Sequence, residues 1–337
     1  MSKIKIAING FGRIGRMFVR VAHQKENFEI VAVNDVMEPF TMAHLLKYDS
    51  VHKKFDGHVE FNHSHIEVNG KKIKVFTEED PAKLPWKELG IDVVIEATGK
   101  FTRREDALKH VEGSGARKVI ISAPAQGERD DVQYIVLGVN DHLINKNDKV
   151  ISNSSCTTNN VAPLIMILDK HWGMVNGFIT TIHSYTRDQN ILDGPHKDLR
   201  RGRAAAYSII PTTTGAAKAV TKIFPHLAKS LGGAGIRVPV PDGSLTDVTC
   251  TLSKPTSIEE INATFKQASE TYLKGILEYT EDAIVSMDVI GNPHSALFDS
   301  QLTAVLGEKN KLVKIIAWYD NEVGYAHRLV ELIDKFV

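Results

Sequence analysis

The sequence predicts an α/β protein in two parts. A doubly wound parallel sheet comes first, and an α+β domain with a mainly antiparallel sheet follows. Three observations predict it. From Ile4 to Leu137, short apolar runs alternate with stretches of helical spacing. A glycine turn, Gly10-Phe11-Gly12-Arg13-Ile14-Gly15, joins the first strand to the first helix. After Cys156 the texture shifts to longer β-rich runs with fewer helices between them.

The bulk numbers fit a soluble globular chain with two sizeable cores: 337 residues, 42% hydrophobic, 24% charged. Forty-one Lys and Arg balance 41 Asp and Glu, so no global field recruits nucleic acid or an anionic membrane. No apolar run approaches a bilayer span, so no membrane partner is expected. The chain enters alternating structure at Ile4 without a signal-peptide layout. Two cysteines, Cys156 and Cys250, are too few for a disulfide framework and point to a reducing, cytoplasmic setting. The 14 histidines are scattered without metal-ligand spacing, so no metal is expected.

Along the chain, Ile4–Ile8 reads as a strand, Met17, Phe18, Val21 and Ala22 as a helix face, and Glu29–Val33 as a second strand ending in Asn34-Asp35. Strand, glycine turn, helix, strand and acid together make the turn a dinucleotide fingerprint. Gly10 permits the tight turn, Gly12 lets a pyrophosphate approach the backbone, and Gly15 allows close packing. The pyrophosphate would rest on the helix N-terminus. Asp35 would accept from the ribose hydroxyls and repel a 2′-phosphate. Residues 58–77 alternate around Asn69-Gly70 and read as an antiparallel insertion. Asp92–Ala97, Lys118–Ser122 and Tyr134–Leu137 read as further strands, and Thr102–His110 as a helix. Thr98-Gly99 and Ser122-Ala123 fall at the carboxyl edge of this sheet, beside the cofactor.

Cys156 follows a polar small-residue turn and opens an apolar helical run from Val161 to Leu168. A thiol at a helix N-terminus meets unpaired N–H groups and the positive end of the dipole, which favour thiolate. Gly177–His183 is a β-rich run ending in histidine. The long polar stretch that follows carries Arg187, Lys197, Arg200, Arg201 and Arg203. With Thr212–Thr214, Gly215 and Arg237 it suggests a phosphate cradle from Arg201, Thr214 and Arg237. Ser257-Ile258-Glu259-Glu260 is a capping box. Ala283–Val289 and Leu312–Trp318 read as extended strands, Cys250 as a structural strand residue, and Glu322–Val337 as a helix.

A dinucleotide fold implies hydride transfer, and a reactive cysteine implies a covalent intermediate. Together they suggest aldehyde oxidation through a thioester, with His183 as the base for Cys156.

On Ile8–Gly15, His44–Ser50, Ser155–Asn159, Asp198–Arg201, Thr213–Lys218, Gly291–Ser295 and Trp318–Tyr325, the chain resembles the phosphorylating glyceraldehyde-3-phosphate dehydrogenase family over nearly its whole length. The resemblance implies a Rossmann NAD-binding domain over 1–153, joined by a C-terminal helix at 321–337. The catalytic domain would span 154–320, including an S-loop at 184–203. It implies Cys156 as nucleophile, His183 as base, and cofactor contacts at Arg13, Ile14, Asp35, Ser122 and Asn321. Thr186 and Arg237 would hold the substrate phosphate. Ser155, Thr157, Thr214 and Gly215 would line the inorganic phosphate site, supported by Arg201. It further implies NAD-dependent, reversible conversion of glyceraldehyde 3-phosphate and inorganic phosphate to 1,3-bisphosphoglycerate, in glycolysis or gluconeogenesis, by a homotetramer. The chain departs from the family's usual pattern at Asn160 (commonly cysteine), Glu79, Gln126 and Arg187. Two alternatives remain at this point: an erythrose-4-phosphate dehydrogenase that hydrolyses its thioester, and a non-catalytic redox-sensing or binding protein on the same fold.

Overall fold

A computed structural model describes residues 3–127 and 132–337. Met1, Ser2 and residues 128–131, all within the expected first domain, lie outside it. The chain forms two compact units. The first comprises Met1–Ile135, Asp141–Ser155 and Ala326–Val337, and the second Val136–Asn140 and Cys156–Tyr325.

The first unit holds β1 (Ile4–Asn9), α1 (Arg13–Ala22), β2 (Phe28–Asn34), α2 (Pro39–Lys47), β3 (Tyr48–Asp49), β4 (Lys53–Lys54), β5 (Val59–Phe61), β6 (His65–Val68) and β7 (Lys71–Phe76). There follow α3 (Trp86–Leu89), β8 (Val93–Glu96), α4 (Arg104–Ala107), β9 (Lys118–Ile121), β10 (Gln133–Tyr134) and β11 (Val150–Ser152). Its main sheet has the order β10-β11-β9-β8-β1-β2-β7-β6-β5. The strands from β10 to β7 pair in parallel, and only the β7-β6-β5 end is antiparallel. The 58–77 segment is therefore not a separate insertion, because β7 pairs with β2 and continues the sheet. Asn69 (φ 50°) and Gly70 (φ 78°) make its β6–β7 turn, as a primed hairpin turn requires.

Two expected elements have other bounds than the sequence reading gives them. The Tyr134–Leu137 strand stops at Tyr134, because Asn140 Oδ1 accepts from Val136 N (2.8 Å) and turns the chain aside. The Thr102–His110 helix begins two residues late as α4 and widens into a π-helical turn at Lys109–Gly113, past its expected end.

The second unit holds α5 (Cys156–Trp172), β12 (Met174–Ser184), β13 (Ile210–Thr212), α6 (Ala216–Ile223), β14 (Leu231–Val238), β15 (Ser244–Thr256) and α7 (Ile258–Glu270). It continues with β16 (Leu277–Thr280), β17 (Ala296–Asp299), β18 (Ala304–Val305) and β19 (Asn310–Tyr319); α8 (Val323–Phe336) follows, and from Ala326 on it belongs to the first unit. Its sheet order is β13-β14-β12-β15-β19-β17-β16, with β18 also on β19. Most pairs are antiparallel, but β12–β14 and β16–β17 are parallel. Val161, Leu164, Ile165 and Leu168 of α5 join one core with Ile179, Val248, Cys250 and Ile315 of the sheet. Period-2 burial along β15 places Cys250 inward, among apolar side chains.

Ala283–Val289 is not a strand. Asp288 Oδ2 accepts from Val285 N (2.8 Å) and folds Ser286–Val289 into a 3-10 turn. The strands there are β16 and β17 instead. The boundary between units falls after Ser155, two residues past the expected one, since α5 starts at Cys156. Val136–Asn140 goes with the second unit, where Gly138 lies so close to Leu273 that an added Cβ would meet it at 2.9 Å. The C-terminal segment of the first unit begins at Ala326 rather than 321.

Candidate active site

In the first unit the glycine turn has the geometry its spacing foretells. Gly10 sits at φ 98°, and a Cβ there would strike Thr98 N at 2.5 Å. A Cβ on Gly15 would lie 2.2 Å from Gly10 O, so the close approach of helix to turn demands glycine. Gly12 faces open space, where a pyrophosphate fits against the N-terminus of α1. Asp35 Oδ2 accepts from Phe11 N (2.6 Å) and Oδ1 from Met37 N (3.1 Å), so its carboxylate braces the turn. These features fit a dinucleotide.

Arg13 at the start of α1 is engaged by a two-pronged ion pair with Asp49, at 2.9 and 3.1 Å. Burial pushes the Asp49 carboxyl up, but hydrogen bonds from His52 N, Arg13 and Val51 N outweigh it and bring it to about 2. Ile14 is half-buried beside it. Thr98 and Ser122 follow the ends of β8 and β9, and Ser122 N donates to Glu96 O (2.9 Å). Ser155 ends the main part of this unit.

In the second unit, Cys156 is the first residue of α5. Just before it, buried Ser154 takes a left-handed φ of 57°, a costly conformation for a non-glycine residue that turns the chain sharply into the helix. His183 comes from β12, next to the last residue, and the parallel β12–β14 register sets it beside Arg237. The structure therefore brings three residues distant in sequence together. Cys156 Sγ lies 3.5 Å from His183 Nε2, and Arg237 Nη1 lies 2.5 Å from His183 Nδ1. Ser184 O is also within reach of Nδ1 (2.8 Å) and of Arg237 Nη1 (2.8 Å).

The electrostatics correct one expectation. Burial pushes the Cys156 thiol up to about 11, against the pull of Arg237 and of hydrogen bonds from Thr157 N–H and hydroxyl. Burial, then Arg237, drives His183 down to about 3. A helix end alone therefore does not make a thiolate here. Moving the proton from Sγ to Nε2, however, leaves the site's net charge unchanged. It also sets opposite charges side by side, worth about 4–5 kcal/mol at an effective dielectric near 20.

The phosphate residues gather less closely. Thr214 Oγ1 accepts from Ala216 N (3.2 Å), and Gly215 caps α6 with open space at its Cα. Arg201 is turned to its own acids: it contacts Asp188, lies 3.7 Å from Asp198, and donates to Thr212 Oγ1 (2.9 Å). It braces the loop onto β13 instead of presenting a free cation. Thr186 accepts from Gln189 N through its carbonyl (2.9 Å), at the start of the irregular stretch. Asn321 belongs to this unit, and its Oδ1 accepts from Ser184 Oγ (2.8 Å) and Ser244 Oγ (2.6 Å).

One residue escaped the sequence reading. The Tyr319 hydroxyl joins Thr157 Oγ1 (2.8 Å) to Thr181 Oγ1 (3.1 Å), and its ring stands edge-on to His183 at 5.9 Å. Burial pushes this phenol well above its usual range, which keeps it a neutral hydrogen-bonding group. Its signal was its place in the Trp318–Tyr325 run, to which the sequence reading assigned no role for the tyrosine.

Comparison with known proteins identifies both parts of the chain. Residues 4–104 match the family model of the glyceraldehyde 3-phosphate dehydrogenase NAD binding domain, and residues 155–321 match that of its C-terminal domain. The chain is 53% identical to glyceraldehyde-3-phosphate dehydrogenase of Thermotoga maritima over 332 residues, covering 98% of each chain. It is 53% identical to that of Geobacillus stearothermophilus (98% of this chain, 97% of the relative) and 52% identical to that of Borreliella burgdorferi (99% and 100%). Among the described residues no helix is long and apolar enough to cross a membrane.

Proposed function

The chain belongs to the glyceraldehyde 3-phosphate dehydrogenase family, and from that premise we propose that it oxidises and phosphorylates D-glyceraldehyde 3-phosphate to 1,3-bisphosphoglycerate, reversibly. The observation that carries the reading is the 3.5 Å pairing of Cys156 Sγ with His183 Nε2 at the start of α5. NAD, when bound, supplies the hydride acceptor. Gly10, Gly12, Gly15 and the start of α1 would hold its pyrophosphate, and Asp35 its ribose.

Sγ adds to the aldehyde carbon while Nε2 takes the thiol proton and returns it to the new hydroxyl. As the carbon loses hydride, Nε2 takes that proton again and a thioester remains on Cys156. Inorganic phosphate then attacks the acyl carbon, and the sulfur leaves as thiolate. Thr214, Gly215 and the start of α6 would hold that phosphate, with Ser155 and Thr157 near the thiol.

Arg237 and Thr186 would hold the substrate's own phosphate. Arginine can only donate, so while Arg237 holds Nδ1, the ring hydrogen sits on Nε2. Drawing Arg237 toward a phosphate frees Nδ1 to carry the hydrogen and donate to Ser184 O. Nε2 is then open to accept from the thiol, so substrate arrival would switch on the base.

The homotetramer is supported by large apolar side chains on and beside the 184–203 stretch, with Leu199 84% and Tyr207 88% exposed, which need cover. A cytoplasmic setting is supported by two unpaired cysteines. The deciding assay is NADH formation from glyceraldehyde 3-phosphate with and without inorganic phosphate. Turnover should depend on phosphate. Equal rates without it would instead indicate thioester hydrolysis.

A further inference from the structure

The last residues of β2, β1 and β8 lie in one row, since Asn9 is paired in register with both Asn34 and Glu96. Each precedes a segment of the dinucleotide site: Asn34 precedes Asp35, Asn9 precedes Gly10, and Glu96 precedes Ala97-Thr98. All three side chains are buried and joined. Asn34 Nδ2 donates to Asn9 Oδ1 (2.7 Å), and Asn9 Nδ2 donates to Glu96 Oε2 (2.6 Å). Glu96 Oε1 accepts from Thr98 N (2.9 Å) and from the Thr98 hydroxyl.

Behind this row stands His110, fully buried, with Nε2 3.1 Å from Glu96 Oε2. Trp86 Nε1 lies 3.0 Å from His110 Nδ1. An indole N–H can only donate, so Nδ1 accepts, Nε2 carries the ring hydrogen, and that hydrogen points at Glu96. The carboxylate thus receives Asn9, His110 and both donors of Thr98. A buried acid with this many donors is a satisfied, rigid anchor. The Thr98 hydroxyl is committed inward, which leaves the backbone of the turn to face a ligand. Gly10 packs directly on that turn, so its setting is coupled to Glu96.

We infer that Glu96, locked by His110 and Trp86, is a positioning residue for the dinucleotide, holding the Gly10 and Thr98 turns in their binding geometry through Asn9 and Thr98. The inference rests on the NAD-dependent reading above. All of these groups belong to the turns of the first unit, so the device acts on cofactor binding and not on the nucleophile.

Two variants test it. Glu96→Gln keeps the size but sets an NH2 against the donors of Asn9 and His110. Trp86→Phe keeps an aromatic, though smaller, side chain, removes the donor, and frees His110 to adopt the tautomer that opposes Glu96. NAD affinity is measured by titration calorimetry, alongside kcat at saturating NAD and the alkylation rate of Cys156 by iodoacetamide. The expected result is NAD affinity weakened about tenfold in Glu96→Gln and a few-fold in Trp86→Phe, with kcat and alkylation within about twofold of the parent. Unchanged NAD affinity in either folded variant would overturn the inference. So would kcat and alkylation falling in step with affinity, the mark of general loosening. If Glu96→Gln does not fold, Trp86→Phe decides alone. A parent protein that fails to bind NAD would refute the functional reading itself, a separate outcome.

Discussion

At the strand ends of the first unit, Asn34, Asn9, Glu96 and Thr98 satisfy one another through neutral donors and a single carboxylate. Around Cys156 the groups are set against each other. Burial opposes a charged thiol and a charged imidazole, and Arg237 favours the first while opposing the second. The first region is settled before a ligand arrives, and its chemistry is recognition. The second is poised, because once Arg237 is drawn from Nδ1 a proton can cross from sulfur to nitrogen without changing the site's charge. Binding benefits from rigid, satisfied donors, while reaction requires groups whose protonation can change.

The largest effect should come from removing the poised element. His183→Asn takes away the acceptor for the thiol proton, and kcat should fall by about 10²–10⁴. The sign for pH follows from the same pairing. With no imidazole to take its proton, the thiol must ionise alone against burial. With a phosphate ester drawing Arg237 away from Nδ1, so that Nε2 is open in the parent, the pH profile of Cys156 alkylation should therefore lie higher in the variant, toward the value near 11 set by desolvation. NAD affinity should stay unchanged, since nothing in the cofactor turn has altered. An alkylation profile identical to the parent's would break the comparison, because sulfur would then be activated without its partner.

How much of each region was legible in the sequence follows from the same contrast. Gly10, Gly15 and the bracing Asp35 were readable because a tight turn, a close helix approach and an acceptor for the turn's N–H impose residue types at fixed spacing. The start of α5 was readable for the same local reason. The pairing of His183 with Arg237 depends on a parallel register between strands more than fifty residues apart, which no local pattern encodes. The thiol's charge was misjudged because helix-end polarity is local and visible in sequence, whereas desolvation depends on everything packed around the group. The Glu96 anchor left one trace, an acid at the end of an otherwise apolar buried strand. Ala283–Val289 was misread because Asp288 folds it by a side-chain hydrogen bond.

The next test sharpens the recognition side. Asp35→Asn keeps an oxygen that can accept from Phe11 N but removes the negative charge. Discrimination for NAD over NADP, measured as the ratio of kcat/KM, should narrow by about 5- to 150-fold, equivalent to ~1–3 kcal/mol of lost repulsion. Cys156 alkylation should not respond. A ratio that does not move would mean that the ribose end is read by something other than this carboxylate.

The smallest effect should come from a contact that serves neither chemistry. Lys118, the first residue of β9, donates Nζ to Phe336 O (2.5 Å) and Lys146 O (2.8 Å), and its ammonium lies 4.1 Å from the Phe336 ring centroid. It thereby caps the last turn of α8, where exposed carbonyls and the negative end of the helix dipole favour a cation. Leu329, Val330, Leu332, Ile333 and Phe336 bury the apolar face of that helix, so most of its docking does not depend on the lysine. Lys118→Met keeps the stem but removes the charge and its donors, leaving two carbonyls short of a partner. The cost should be about 1–3 kcal/mol, read as a fall of a few degrees in Tm. Neither NAD affinity nor the alkylation profile should change, because the lysine reaches neither the row of strand ends nor the thiol. A loss of NAD affinity in this variant would show that docking of the C-terminal helix also sets the cofactor turns, and the recognition region would then extend from the strand ends to the far end of α8.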